Sequence, residues 1–243
     1  MKTKQFSPDC LNTNVADLVI ESPCLVNLFE SNKVEYCCEG DIPLRQSLQK
    51  LKISETDFIK QMNVSIGANY LPPEYPDVKN PIQVIDFIME IFHKPLPKML
   101  EELGRLINKA AAHHGPNKPY TVELKKHFDI LSEDLTSHLW KEENILFPMI
   151  KDLYNAKVAK KPRPYFHCGS INNPVGQMEY EHEAVGGILR NMETLMAQEN
   201  IPETGCTTLK TMKKLFDNLK IEIHKHIHME NYILHPLSRE LDI

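Results

Sequence analysis

No stretch of this 243-residue chain approaches the roughly 18 consecutive apolar residues needed to cross a bilayer, so no membrane helix is expected. The opening residues Met1-Lys2-Thr3-Lys4-Gln5-Phe6 lack the apolar core of a secretory signal. Positive charge is not in excess. The 28 Lys and Arg stand against 33 Asp and Glu, a net charge of −5, which argues against a nucleic-acid or anionic-membrane surface as the main business. Strand patterns are scarce. These absences leave a cytoplasmic, all-α protein, in which six cysteines are expected to be reduced and available for chemistry. The composition, 42% apolar and 25% charged, is enough for a real core.

The first 75 residues predict a small helical domain. Short amphipathic helices are expected at 15–20, 24–29 and 44–51, with Tyr36-Cys37-Cys38-Glu39-Gly40 between the second and third. Residues 70–81 hold four prolines, a density that stiffens the chain and marks a linker, so a boundary is expected near residue 75. From 76 to 243 the chain reads as an antiparallel four-helix bundle. Asn80-Pro81 combines a capping side chain with proline at the first helical position. Four apolar stripes at helical spacing follow, over about 81–114, 119–157, 174–199 and from 206 onward. Pro95 and Pro97 are expected to kink the first helix just after His93. Residues 157–173 form a basic, proline-containing connection.

One twelve-residue stretch, running from Ser137-His138 to Pro148, is repeated from Lys225-His226 to Pro236. Each copy reads His, three residues, Glu, two residues, Ile-Leu, one residue, Pro. Positions i and i+4 share a helix face, so each copy sets an imidazole beside a carboxylate: His138 with Glu142, His226 with Glu230. An antiparallel hairpin turning near residue 117 brings His93 level with His138 and Glu142. A hairpin turning near 204 brings His182 level with His226. Buried carboxylates need partners, and no Lys or Arg lies on these stripes. A metal solves the problem. Six nitrogen and oxygen ligands, His93, His138, Glu142, His182, His226 and Glu230, fit two iron ions with both glutamates bridging. An oxo or hydroxo bridge then leaves one open position per iron for a small diatomic ligand. Two other metals, such as manganese, satisfy the same spacing. His113, His114, His127, His167, His224, His228 and His235 lack a partner at the right height and face, and are read as non-ligands.

The 80–240 region resembles the hemerythrin-like domain. The 10–60 region is similar to the small paired-cysteine domain that precedes it in the di-iron iron–sulfur cluster repair proteins. The matching stretches are Val34-Glu35-Tyr36-Cys37-Cys38-Glu39-Gly40, Ile91-Phe92-His93, Ser137-His138 through Pro148, Met178-Glu179-Tyr180-Glu181-His182 and His226 through Pro236. The resemblance implies a stress-response protein that restores clusters damaged by nitric oxide or oxidative stress, with a non-haem di-iron centre. Cys37 and Cys38 are expected to bind or relay iron. Asp134 and Glu181 are candidates to support a ligand or line a channel, and Cys10, Cys24, Cys168 and Cys206 are read as uninvolved. Expected partners are damaged iron–sulfur proteins, nitric oxide, O2 and a second copy in a homodimer, with no nucleic acid and no membrane. Two rival functions are a nitric oxide reductase and a reversible O2 or NO sensor. The sensor has no obvious need for Cys37-Cys38.

Overall fold

The protein is seen in a computed structural model that describes residues 5–67 and 75–242. Among the described residues every element is helical, apart from one isolated bridge between Asn14 and Pro43. The N-terminal region has α1 (Val15–Glu21), α2 (Val26–Asn32), α3 (Leu44–Leu51) and α4 (Glu55–Gly67), with short 3-10 turns at Pro8–Asn12 and Pro23–Leu25. The fourth of these helices was not expected from the sequence. Residues 70–74 of the proline-dense linker lie outside the described residues.

The bundle begins with α5 (Pro81–Ile88), whose Asn80 cap accepts hydrogen bonds from the amides of Ile82 and Gln83. Then follow α6 (Leu96–His114), α7 (Tyr120–Lys141), α8 (Phe147–Val158), α9 (Asn172–Met196), the single turn α10 (Ile201–Thr204), α11 (Thr207–Met229) and α12 (His235–Leu241). Three widened π turns join them, at Met89–His93, Glu142–Leu146 and Glu230–Leu234. Each ends against a proline. The amides of Lys94, Phe147 and His235 reach back five residues, to the carbonyls of Met89, Glu142 and Glu230, and Pro95, Pro148 and Pro236 follow directly. A proline ring clashes with the carbonyl four residues back and has no amide to give it, so the wider turn relieves both problems. The kink expected after His93 takes this form, and it occurs three times.

Around the bundle, α6 packs against α7 and α11, and α9 packs against the same two. Two apolar clusters fill the interior. One runs through Val84, Ile88, Phe147, Ile150, Val175 and Leu234 at the end where α5, α8 and α12 meet. The other fills the opposite half and is continuous with the N-terminal helices, from Leu103, Leu189 and Phe216 to Phe29, Leu48 and Phe58. A polar layer separates them. The 159–171 connection is pinned beyond α12, where the Asp242 carboxylate accepts from Arg163, the Ser170 hydroxyl and the Ile171 amide.

Candidate metal centre

The polar layer consists of the six residues picked out by spacing. His93, His138, His182 and His226 are 2–3% exposed, and Glu142 and Glu230 are fully buried. They form two clusters, His93 with His226 and His138 with His182, and both clusters include Glu142 and Glu230. Within each cluster the ligand atoms all lie within 4.8 Å of one another. The pairing is crosswise to the hairpins. It follows the packing, because the π turn that carries His93 lies against α11, and α7, which carries His138, lies against α9.

Each carboxylate is shared atom by atom. Glu142 Oε1 lies 3.2 Å from His138 Nε2, and its Oε2 lies 3.4 Å from His93 Nε2. Glu230 Oε1 lies 3.0 Å from His226 Nε2, and its Oε2 lies 3.2 Å from His182 Nε2. That is the arrangement of two bridging carboxylates.

The residues fit a pair of cations. None of the four buried oxygens of Glu142 and Glu230 has a hydrogen-bond donor, a costly state for buried carboxylates. The Nε2 atoms of His93 and His226 face each other at 3.0 Å, as do those of His138 and His182. A proton shared within such a pair serves both nitrogens but leaves the carboxylate oxygens without a donor, whereas a cation in each cluster serves both nitrogens and an oxygen of each carboxylate. Without a bound cation, charged imidazoles offset the carboxylates. Burial and Glu230 push the Glu142 carboxyl up, but His138 and His93 outweigh them and hold it below the usual carboxylate range. Burial likewise pulls the His138 imidazole down, and Glu142 outweighs it, carrying it up to about 9.

The outward nitrogens of three of these imidazoles are held by residues from other helices. His93 Nδ1 is 2.9 Å from Glu143, His138 Nδ1 is 2.9 Å from Glu181, and His182 Nδ1 is 2.8 Å from Asn231 Oδ1. Such contacts fix ring orientation and tautomer. Glu181 was expected in this role. Glu143 and Asn231 were missed, although both stand directly after the motif glutamate in the two copies. Against the fourth ligand, His226, the Phe92 ring stacks at 5.6 Å. The halves differ again below the ligands, where Phe147 packs on His93 and the buried His235 ring stacks on His182. Asp134 is exposed on α7 and touches no ligand.

The thiol pair lies above this layer. Cys38 Sγ is 4.0 Å from the His182 carbonyl, and Asn231 Nδ2 donates to the Cys37 carbonyl at 3.1 Å. Burial pushes the Cys37 thiol well up, with Cys38 and Glu35 adding to it. Residues spaced four apart on α11 and the π turn after it hold the N-terminal region. His224 pairs with Glu30, His228 bonds the Ala16 carbonyl, and the Tyr232 hydroxyl accepts from the Gly40 amide. These histidines thus tie the bundle to α1 and α2. His114 lies against Cys206 Sγ, and neither belongs to a ligand cluster.

Residues 85–238 match the model of the Hemerythrin HHE cation binding domain, a span that contains all six buried ligand candidates. The chain belongs to the hemerythrin HHE family. Beyond the HHE domain, the similarity extends over nearly the full length of proteins named for iron–sulfur cluster repair. The chain is 27% identical over 231 residues to iron–sulfur cluster repair protein YtfE of Yersinia pseudotuberculosis serotype IB (strain PB1/+), covering 94% of this chain and 97% of that one. It is 23% identical over 222 residues to iron–sulfur cluster repair protein ScdA of Staphylococcus haemolyticus (strain JCSC1435), covering 90% and 95%. The resemblance read from the motifs therefore holds along the chain, including the cysteine segment that precedes the HHE domain. Among the described residues no helix is long and apolar enough to cross a membrane.

Proposed function

We propose that this HHE protein restores iron–sulfur clusters damaged by nitric oxide or oxidative stress, acting in the cytoplasm by mobilising iron from a non-haem di-iron centre. His93, His138, Glu142, His182, His226 and Glu230 hold the two irons. The observation that carries the reading is the pair of His2Glu2 clusters sharing two carboxylates, directly beneath a vicinal thiol pair. Bound irons supply the exchangeable metal and the open positions for small diatomic ligands. Glu143, Glu181 and Asn231 orient the imidazoles, and Cys37 and Cys38 receive or pass on iron, since thiolates are soft ligands for it. The chain divides near residue 75 into a thiol-bearing unit and the metal-holding bundle, because every metal ligand follows Pro81.

The test adds the wild type, Glu142→Ala and a Cys37→Ser/Cys38→Ser double variant to an extract containing a damaged iron–sulfur dehydratase. Wild type, with about two irons per chain, restores activity. Glu142→Ala loses metal from both clusters and restores none, and the thiol variant restores less. One tightly bound zinc in place of the irons overturns the assignment. No restoration by wild type, together with nitric oxide consumed over many turnovers, replaces it with a reductase.

A further inference from the structure

Outside the buried centre, Glu35, Cys37 and Cys38 bring three more ligand atoms within 4.8 Å of one another. The two sulfurs are 3.6 Å apart. Thiolates bound at about 2.3 Å to one tetrahedral ion stand about 3.8 Å apart, so the pair already has the spacing of two ligands on a single metal. Glu35 holds them there. Its Oε1 accepts from the amides of Cys37 at 3.1 Å and Cys38 at 3.3 Å, and from the Cys37 thiol at 2.8 Å. This bonding turns both side chains to the same side of the loop as the carboxylate. Glu35 lines a cleft of about 300 Å³, shared with Val34, Leu189 and Arg190, and Cys38 is half-buried.

We propose that Glu35, Cys37 and Cys38 form a third metal site, taking one borderline divalent cation such as Fe2+, Co2+ or Zn2+ through two thiolates and one carboxylate. Three protein ligands leave a fourth position for an incoming group. Binding one cation releases the two thiol protons, because thiolates and not thiols ligate. The use of this site as the station from which iron leaves the chain rests on the function proposed above; the existence of the site does not.

The experiment titrates the full chain, with its buried centre loaded with iron, with Co2+ under anaerobic conditions. Thiolate-to-cobalt charge-transfer absorption reports the sulfurs. Wild type takes up one additional cobalt, with about two protons released. Cys38→Ser loses about half the charge-transfer intensity and weakens binding by about tenfold or more. Glu35→Gln keeps an acceptor for the loop amides but loses the anionic ligand, and it also weakens binding by about tenfold or more. Glu39→Gln, beside the motif but outside the cluster, binds as wild type does. Unchanged iron content in each variant shows that the fold is intact. Absence of the charge-transfer band in wild type overturns the site, as does wild-type affinity in Glu35→Gln. Cobalt binding in these ratios upholds the site even where an extract shows no repair. Repair without cobalt binding overturns the site and leaves the function standing.

Discussion

Asn231 makes two contacts that can be separated by substitution. Its Oδ1 accepts from His182 Nδ1 at 2.8 Å, and its Nδ2 donates to the Cys37 carbonyl at 3.1 Å. Asn231→Ala removes both. Asn231→Asp keeps an acceptor for His182 but sets a carboxylate oxygen against the Cys37 carbonyl. Loss of an imidazole's orienting partner costs about 10- to 100-fold in metal affinity, or about 1.4 to 2.8 kcal/mol. Loss of the donor to the buried loop carbonyl costs about 1 to 3 kcal/mol in docking of the cysteine segment. Two assays read the two terms. Transfer of iron to an external chelator reports the centre. Alkylation of Cys37, only 1% exposed, reports opening of the loop. Asn231→Ala is expected to accelerate both by about tenfold or more. Asn231→Asp accelerates alkylation as much while iron release stays near the wild-type rate. Iron lost equally fast from both variants would refute the orienting role of Oδ1. Unchanged Cys37 alkylation in Asn231→Ala would refute the docking role of Nδ2.

Three further outcomes follow from local geometry. A Cβ at Gly40 meets the Tyr36 carbonyl oxygen at 2.6 Å and the Ala16 Cβ at 2.8 Å, so Gly40→Ala is expected to destabilise by about 1–3 kcal/mol in urea unfolding, with metal content unchanged. Burial raises the Glu179 carboxyl, but His235 and Arg239 outweigh it and hold it at about 2. This depressed group stabilises the fold above its ordinary value of 4.5 and loses that contribution as the pH falls toward 2. With a third of the side chain exposed, the effect is about 1 kcal/mol or less, and Arg239→Gln should reduce it when urea midpoints at pH 6 and pH 3 are compared. A fragment of residues 78–243 should retain iron but melt lower than the full chain, because it exposes His224 and His228 on α11 and Tyr232 in the π turn that follows. Loss of iron with helicity retained would show that the N-terminal segment completes the centre.

That these six side chains gather in one layer was legible because the geometry is local. A helix fixes His138 over Glu142 and His226 over Glu230 whatever surrounds them, and two short turns set the heights of His93 and His182. Buried carboxylates without a cation on the same stripes then called for metal. The π turns were only half legible. Pro95 signalled a distortion, but Pro148 and Pro236 stand in the same relation to their helices and were read only as part of the repeat. Amphipathic periodicity identified the bundle helices, and it did not single out α4.

Tertiary structure decided what depends on the order of helices around the bundle. The sequence brings His93 level with His138, yet His93 shares its cluster with His226, because the π turn that carries His93 lies against α11 while α7 lies against α9. No periodicity within one helix carries that information. The same holds for Glu143 on His93 and Asn231 on His182, contacts made across helices by residues whose own positions only mark them as following a ligand. It holds too for His224 and His228 on α11 and Tyr232 just beyond it, which find their partners Glu30, Ala16 and Gly40 in the N-terminal region. Spacing along a helix is set by the backbone, and so it was available from the sequence alone. Which faces meet is set by the burial of apolar surface over the whole chain, which only the folded structure reveals.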